Sequence, residues 1–440
     1  MTQTSPDRRQ APPIRPIGHF AIAAPERREL RNGMPLNVIN AGQEDVVRFD
    51  LVVKGGQWSQ EQPLQAVFTN RMLREGTKHY TSAQISERLD YYGAWLDLTT
   101  AVNYGFVTLY SLGKYFSQTL ALVASMVKEP TFPEAQLDIV RNVNRDQYLI
   151  NRDRVEVMSR KQLNRSLFGP RHPLGVYAEA DDYDRVTTEV MRRFYHARYY
   201  SGNCSAYVSG RVTPGIVAAI EREFGDAPWG RASTPVQMRH FTPQTDQRHH
   251  IFLEKDDALQ SSLRIGGFLP GRKHPDFLKL RVLVTLLGGY FGSRLMSNIR
   301  EEKGYTYGIS SSIATYPGTG VLVIATEADS RYVDDIITEV YREMERLREE
   351  KVPEGELDMV RHYMLGDLCR SYESAFSLSD AWIFIESAGL DAGYFGRTLE
   401  AIREVNVDEL LHLARKYLCK ESLIEVVAGK KTAADAENMR

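Results

Sequence analysis

Pro133-Glu134-Ala135-Gln136-Leu137-Asp138-Ile139-Val140-Arg141 returns 220 residues later as Pro353-Glu354-Gly355-Glu356-Leu357-Asp358-Met359-Val360-Arg361. A second pair keeps nearly the same spacing. Phe194-Tyr195-His196-Ala197-Arg198-Tyr199-Tyr200 precedes an apolar run ending at Gly210, and Leu411-His412-Leu413-Ala414-Arg415-Lys416-Tyr417 precedes a similar run over 423–429. The offset is half of the 440-residue chain, whereas solenoid periods are about 20–50 residues. The chain therefore reads as two homologous domains, 21–228 and 246–436. Residues 229–245 (WGRASTPVQMRHFTPQT) lack periodicity and are rich in Pro, Ser, Thr and Gln, which marks a linker. Residues 1–20 have arginines and prolines but no apolar block, and read as a disordered tail rather than a secretory signal.

Within each half, strand and helix patterns alternate. Residues 35–41 and 46–53 read as strands joined by a turn at 42–45. Residues 64–75 and 82–92 read as helices, the second capped by Thr81. A strand pair follows at 94–100 and 104–112, then helices over 115–128 and from Pro133 onward. In both repeat copies the proline suits the first helical turn, where its missing N–H is not needed. The second half offers strands at 251–254 and 262–268, helices at 275–287 and 290–300, and strands at 305–314 and 320–326. The expected fold class is α+β, each half a mixed sheet with helices packed on one face.

Bulk properties exclude several functions. A net charge of -2 leaves no electrostatic footprint for nucleic acid or an anionic membrane. No apolar stretch approaches the roughly 20 residues a spanning helix needs. The three cysteines, Cys204, Cys369 and Cys419, lie far apart without a CxxC pair, which excludes a disulfide framework and a cysteine zinc ribbon. A reducing, cytoplasmic setting is expected.

The stretch Val52–Gly56, followed by Ala66-Val67-Phe68-Thr69-Asn70-Arg71-Met72-Leu73-Arg74-Glu75-Gly76-Thr77, resembles the first active-site segment of pitrilysin and mitochondrial-processing-peptidase relatives. Residues 168–175 (FGPRHPLG), the strand closing at Gly210, and 289–308 extend the resemblance over about 30–429. The family has two related halves per chain, and its motif is H-x-x-E-H after a glycine-ended strand. Two histidines four apart share a helix face and reach one zinc, while the glutamate serves as base. Here the histidine positions are Val67 and Arg71, and the glutamate position is Asn70. Counting about 76 residues from Arg71 to the family's third ligand reaches Gln147. Valine has no lone pair, arginine is a permanent cation, and an amide takes up no proton. The resemblance therefore implies no metal in this chain. These positions read as packing residues, with Arg71 and Glu75 as an i,i+4 pair. The densest alternative, His249-His250 with Glu254, lacks a third ligand, and strand alternation turns His249 away from the other two.

The second motif of the family is retained. Gly288-Gly289-Tyr290-Phe291-Gly292-Ser293-Arg294-Leu295-Met296-Ser297-Asn298-Ile299-Arg300-Glu301-Glu302-Lys303-Gly304-Tyr305-Thr306-Tyr307-Gly308 resembles the C-terminal-half segment in which an arginine, and a tyrosine seven residues later, face the zinc across the substrate. Arg300 and Tyr307 have that spacing, and two such donors suit a developing oxyanion. Arg300 also complements a helix C-terminus, and tyrosines are common in strands, so both have a purely structural reading as well. Tyr305 is expected on the same strand face as Tyr307. The edge strand 93–101 matches the one that holds extended peptide in the family.

Together these residues imply the non-metal subunit of a heterodimeric zinc metallopeptidase. It would be inactive alone, pairing with a zinc-bearing homologous subunit of similar length and supplying Arg300 and Tyr307 around a peptide substrate. A homodimer in isolation is compatible with this reading. The alternative is a non-catalytic scaffold resembling the core proteins of the respiratory cytochrome complex.

Overall fold

The computed structural model describes residues 17, 18, 20, 22–231 and 241–431. Nearly all of the expected tail, the middle of the expected linker and the C-terminal nine residues lie outside the described residues.

The first sheet has six strands: β1 (Glu26–Glu29), β2 (Pro35–Asn40), β3 (Val46–Lys54), β4 (Trp95–Thr100), β5 (Tyr104–Leu112) and β6 (Cys204–Gly210). Their order is β1-β2-β6-β3-β5-β4. The second sheet comprises β7 (His250–Glu254), β8 (Ser261–Pro270), β9 (Thr306–Tyr316), β10 (Thr319–Ala328) and β11 (Ile424–Gly429), ordered β7-β11-β8-β10-β9. Apart from β1 the two orders coincide element by element. In each, one parallel pair (β2 with β6, β7 with β11) sits beside antiparallel neighbours. The sequence repeat is thus a repeat of mixed sheets within an α+β fold.

The nonapeptide copies also fold alike. Pro133 and Pro353 are extended (ψ 133° and 137°), and the helices Glu134–Asn151 and Glu354–Arg370 begin one residue later. The prolines therefore cap the helices rather than occupy the first turn. Arg141 pairs with Asp138 and donates to the Val186 carbonyl, and Arg361 does the same with Asp358 and Val405.

Each sheet packs one face on helices of its own half. Helices such as Phe116–Lys128 and Thr188–Arg198 cover the first sheet, and Phe277–Val284 and Val333–Glu349 cover the second. The opposite faces are covered reciprocally. Leu378, Ala381 and Trp382 of helix Ala375–Ser387 pack on Ile39, Val52 and Tyr207 of the first sheet. Leu163, Leu167 and Phe168 of helix Val155–Phe168 pack on Ile251, Val321 and Val426 of the second. Cover on both faces explains β3 (VVRFDLVVK), where Val47 to Val53 are all buried instead of alternating. Its two buried charged members, Arg48 and Asp50, are neutralised where the halves meet. Arg48 donates to Asp50 (2.9 Å) and to Asp380 (2.6 Å), and Asp50 also accepts from Thr108 (2.7 Å) and Ser379 (3.4 Å). No helix among the described residues is long and apolar enough to cross a membrane.

Candidate functional site

Helix Gln65–Arg71 presents the first motif beside β4 and β5. Asn70 is 1% exposed, and its bonding capacity goes to structure. Its amide nitrogen donates to the carbonyls of Thr99 (2.5 Å) and Phe106 (3.1 Å), and its oxygen accepts from Tyr199 (3.1 Å). Val67 is half-buried one turn from Arg71, which is exposed. The expected Arg71–Glu75 pair is replaced by longer-range partners. Arg71 hydrogen-bonds to Asn144 of helix Glu134–Asn151, and Glu75 accepts from Ser82. Asn144 precedes the exposed Gln147 by one turn, so the residue that meets Arg71 is Asn144.

This donor set does not fit zinc. A guanidinium repels a divalent cation, valine offers nothing, and the buried amide has spent its oxygen on a hydroxyl. Among the described residues no group of three His, Cys, Asp or Glu stands together. His250 bonds to Glu425 (2.9 Å) rather than Glu254, and His249 turns to the Leu423 carbonyl (3.1 Å).

The second motif is built from irregular backbone. Widened helical turns occupy Thr285–Gly289 and Met296–Glu302, a geometry that recurs at functional sites. Gly288 is required at the first, since a Cβ there would lie 2.7 Å from the Ser311 backbone nitrogen. Arg300 lies in the last turn of the second, its guanidinium 4.6 Å from the ring centre of Phe291, itself 61% exposed. Gly304 (φ +67°) then reverses the chain.

The two tyrosines beyond Gly304 take opposite directions. Tyr305 precedes β9 and stacks on Tyr332 (4.7 Å, 11°), packed against the core. Within β9, Thr306 pairs with Ala328 and Ile309 with Thr326, so Tyr307 and Gly308 together face Glu327. This is a β-bulge, and it re-aims the extra side chain. The Thr306 hydroxyl holds it, bonding the Thr326 hydroxyl (2.8 Å), the Glu327 carbonyl (2.7 Å) and the Gly308 backbone. Tyr307, on the face of Glu327 and opposite to buried Thr306, is 92% exposed. The expectation that Tyr305 and Tyr307 share a strand face fails, because Tyr305 lies ahead of β9, its N–H bonded back to the Ile299 carbonyl (3.0 Å), and is outside the strand's alternation. Arg300 and Tyr307 do not touch each other; each presents donors to solvent.

β4 and β9 are the corresponding outer strands of their sheets. The expected edge strand is thus an edge, with Trp95 68% exposed. Sequence reasoning missed two apolar stripes. Ile139, Val143 and Ile150 are exposed on helix Glu134–Asn151, and Met359 and Tyr363 on helix Glu354–Arg370. Met359 and Tyr363 are the repeat counterparts of Ile139 and Val143, and Tyr363 stacks on Tyr290 (5.0 Å), next in sequence to Phe291. The i,i+4 spacing lay in the nonapeptide and just beyond it, but the same residues equally suit a core face.

Comparison with known proteins supplies the lineage. The family model described as Insulinase (Peptidase family M16) matches residues 38–171, and Peptidase M16 inactive domain matches 185–364. The chain belongs to the M16 peptidase family. A protein of Mycobacterium leprae, named an uncharacterized zinc protease, is 27% identical over 381 residues, 83% of each chain. The Bacillus subtilis protein YmfF, named a probable inactive metalloprotease, is 21% identical over 48% of each chain. Among solved structures, a peptidase M16 inactive domain from Pseudomonas fluorescens superposes with a TM-score of 0.83 at 21% identity, covering 93% of this chain and 99% of that one. A chain of complex III2 from Candida albicans gives 0.73 at 13%, covering 92% and 95%. These likenesses fix the M16 fold.

Proposed function

We propose that this M16 chain is the non-metal subunit of a two-chain zinc peptidase, contributing Arg300 and Tyr307 to peptide hydrolysis centred on a homologous partner. The observation that carries the reading is the bulge at Tyr307–Gly308. There a tyrosine stands exposed with no hydrogen-bond or ring partner among the described residues, and Arg300, seven residues earlier, has one such described partner, the Phe291 ring. A packing role asks for neither.

The chemistry follows from donor type. When bound by the partner, zinc supplies the Lewis acid and the activated water. This chain's guanidinium and phenol donate hydrogen bonds to a substrate carbonyl and stabilise the oxygen as it gains negative charge. The exposed stripes through Val143 and Tyr363 suit contact with a second chain or a peptide substrate. The scaffold reading is favoured by the likeness to a chain of complex III2; it calls for no hydrolysis in any mixture.

The test compares cleavage of a quenched fluorescent peptide by this chain, by a zinc-bearing M16 partner, and by both. Expected are activity only in the mixture and a loss of about 10²–10³-fold with Arg300→Ala, the scale of removing one oxyanion donor. Hydrolysis by the partner alone at the mixture's rate ends the proposal.

A further inference from the structure

A cavity of about 420 Å³ opens in the second half between helices Phe277–Val284, Glu354–Arg370 and Ala375–Ser387 and strand β9. Arg272 and Arg281 both line it, together with Tyr372, Tyr394, Phe384 and Thr285. No aspartate or glutamate does. Both arginines are partly buried, and among the described residues neither guanidinium has a carboxylate or carbonyl partner. Phe384 covers one face of Arg272, at 4.3 Å from the ring centre, and leaves its in-plane N–H donors unused. Burial works against the cationic form of Arg272, Tyr394 favours it, and the neighbouring charge of Arg281 again works against it, the net direction being downward. Asp367, the carboxylate that acts on Tyr372, is bound by Arg370 at 2.7 Å.

Two like charges gathered in a half-buried cavity without a counter-ion are unfavourable in the empty protein. Two other partly buried arginines, by contrast, are matched: Arg48 has two aspartates, and Arg294 takes Glu356 through two bonds (2.8 and 2.9 Å). The unmatched pair calls for an anion from outside. A single carboxylate neutralises one guanidinium; a phosphoryl group near neutral pH carries close to two charges and offers three acceptor oxygens. Planar guanidinium forks suit it. The hydroxyls of Tyr372 and Thr285 line the same wall and add donors, and Tyr394 and Phe384 give the remainder of a small ligand an apolar surface.

We infer that this cavity is a binding site for a phosphoryl group, held by Arg272 and Arg281, of the size of a phosphomonoester. The site is independent of the peptidase reading, since neither Arg300 nor Tyr307 lines it.

The full chain is titrated with inorganic phosphate, phenyl phosphate and acetate in chloride buffers of matched ionic strength, reading the melting temperature and the heat of binding. Phosphate and phenyl phosphate raise the melting temperature and acetate does not. Each of Arg272→Gln and Arg281→Gln weakens phosphate binding by about tenfold or more, as expected for a lost charge-assisted bond. Tighter binding of phenyl phosphate than of inorganic phosphate assigns the site to an organic phosphomonoester; equal binding assigns it to free phosphate. Circular dichroism of the variants confirms the fold, and Arg331→Gln, on an exposed ion pair, serves as the control. No response of the unaltered chain, or an equal response in the Arg272→Gln/Arg281→Gln double variant, overturns the inference.

Discussion

Tyr199 donates its hydroxyl hydrogen to the side-chain oxygen of Asn70 at 3.1 Å, in the fully buried floor beneath helix Gln65–Arg71. The amide that stands in the family's glutamate position is thereby a structural clasp, tying the helix to β4, β5 and the chain preceding β6. Asn70→Ala leaves the buried Tyr199 hydroxyl without its acceptor and removes the amide's bonds to two strand carbonyls, and is expected to destabilise by about 2–4 kcal/mol in urea unfolding. Asn70→Asp sets a carboxylate against the carbonyls of Thr99 and Phe106. Its folded-state pKa rises, so the damage is present at neutral pH and relieved on acidification.

Zinc content depends on the same helix. Purified without chelator and measured by elemental analysis, the chain is expected to hold substoichiometric zinc. Anomalous scattering is expected to place none beside Arg71. Stoichiometric metal at that position would contradict the donor chemistry of Val67, Asn70 and Arg71.

Arg48 is the hinge-pin charge between the halves. Removing it strands Asp50, which is 1% exposed, so Arg48→Met is expected to destabilise by about 3–5 kcal/mol. Asp380→Asn should do far less, because that side chain is 63% exposed and Asp50 still neutralises the guanidinium. Denaturant midpoints of the two variants measure the difference.

Acid sensitivity has a source at the parallel edge of the second sheet. Burial pushes the Glu425 carboxyl up, but hydrogen bonds from His250 (2.9 Å) and Tyr341 (2.6 Å) hold it below its ordinary 4.5. A depressed carboxylate contributes stability above its unfolded pKa and loses it as pH falls through the folded one. Stability should therefore decline below about pH 4.5, with a shallower slope in Glu425→Gln, as read from melting temperature against pH.

Tyr307 separates function from folding. At 92% exposure, Tyr307→Phe is expected to leave stability within about 0.5 kcal/mol of the parent. It should still lower the activity of the two-chain mixture. Deleting Gly308 removes the bulge and the bonds its backbone makes to the Thr306 hydroxyl, leaves Tyr307 opposite Glu327 in a shifted position, and should lower the activity at a greater cost in stability.

Much of the fold was legible because it is written twice: the nonapeptide at 133 and 353 marks equivalent helices, and the strand pairs fall within a few residues of the expected bounds. Helices Val155–Phe168 and Ala375–Ser387 were missed because they are contacted from more than one side. Their apolar residues spread around the helix, leaving no single-faced period to read. At the candidate site, the residue types and the spacing of Arg300 and Tyr307 were readable. The bulge was not, since it depends on register with β10, and neither was the turn of Arg71 toward Asn144. Both are long-range choices that a local pattern does not encode.

The reciprocal roofing by those two helices makes the duplication irreversible. A protein ending after residue 231 would leave Ile39, Val52 and Tyr207 facing water, while its own helix Val155–Phe168 had nothing to cover. Such a fragment can satisfy itself only by borrowing from another molecule. Each half therefore carries the other's roof, and the two can differ in chemistry but not part.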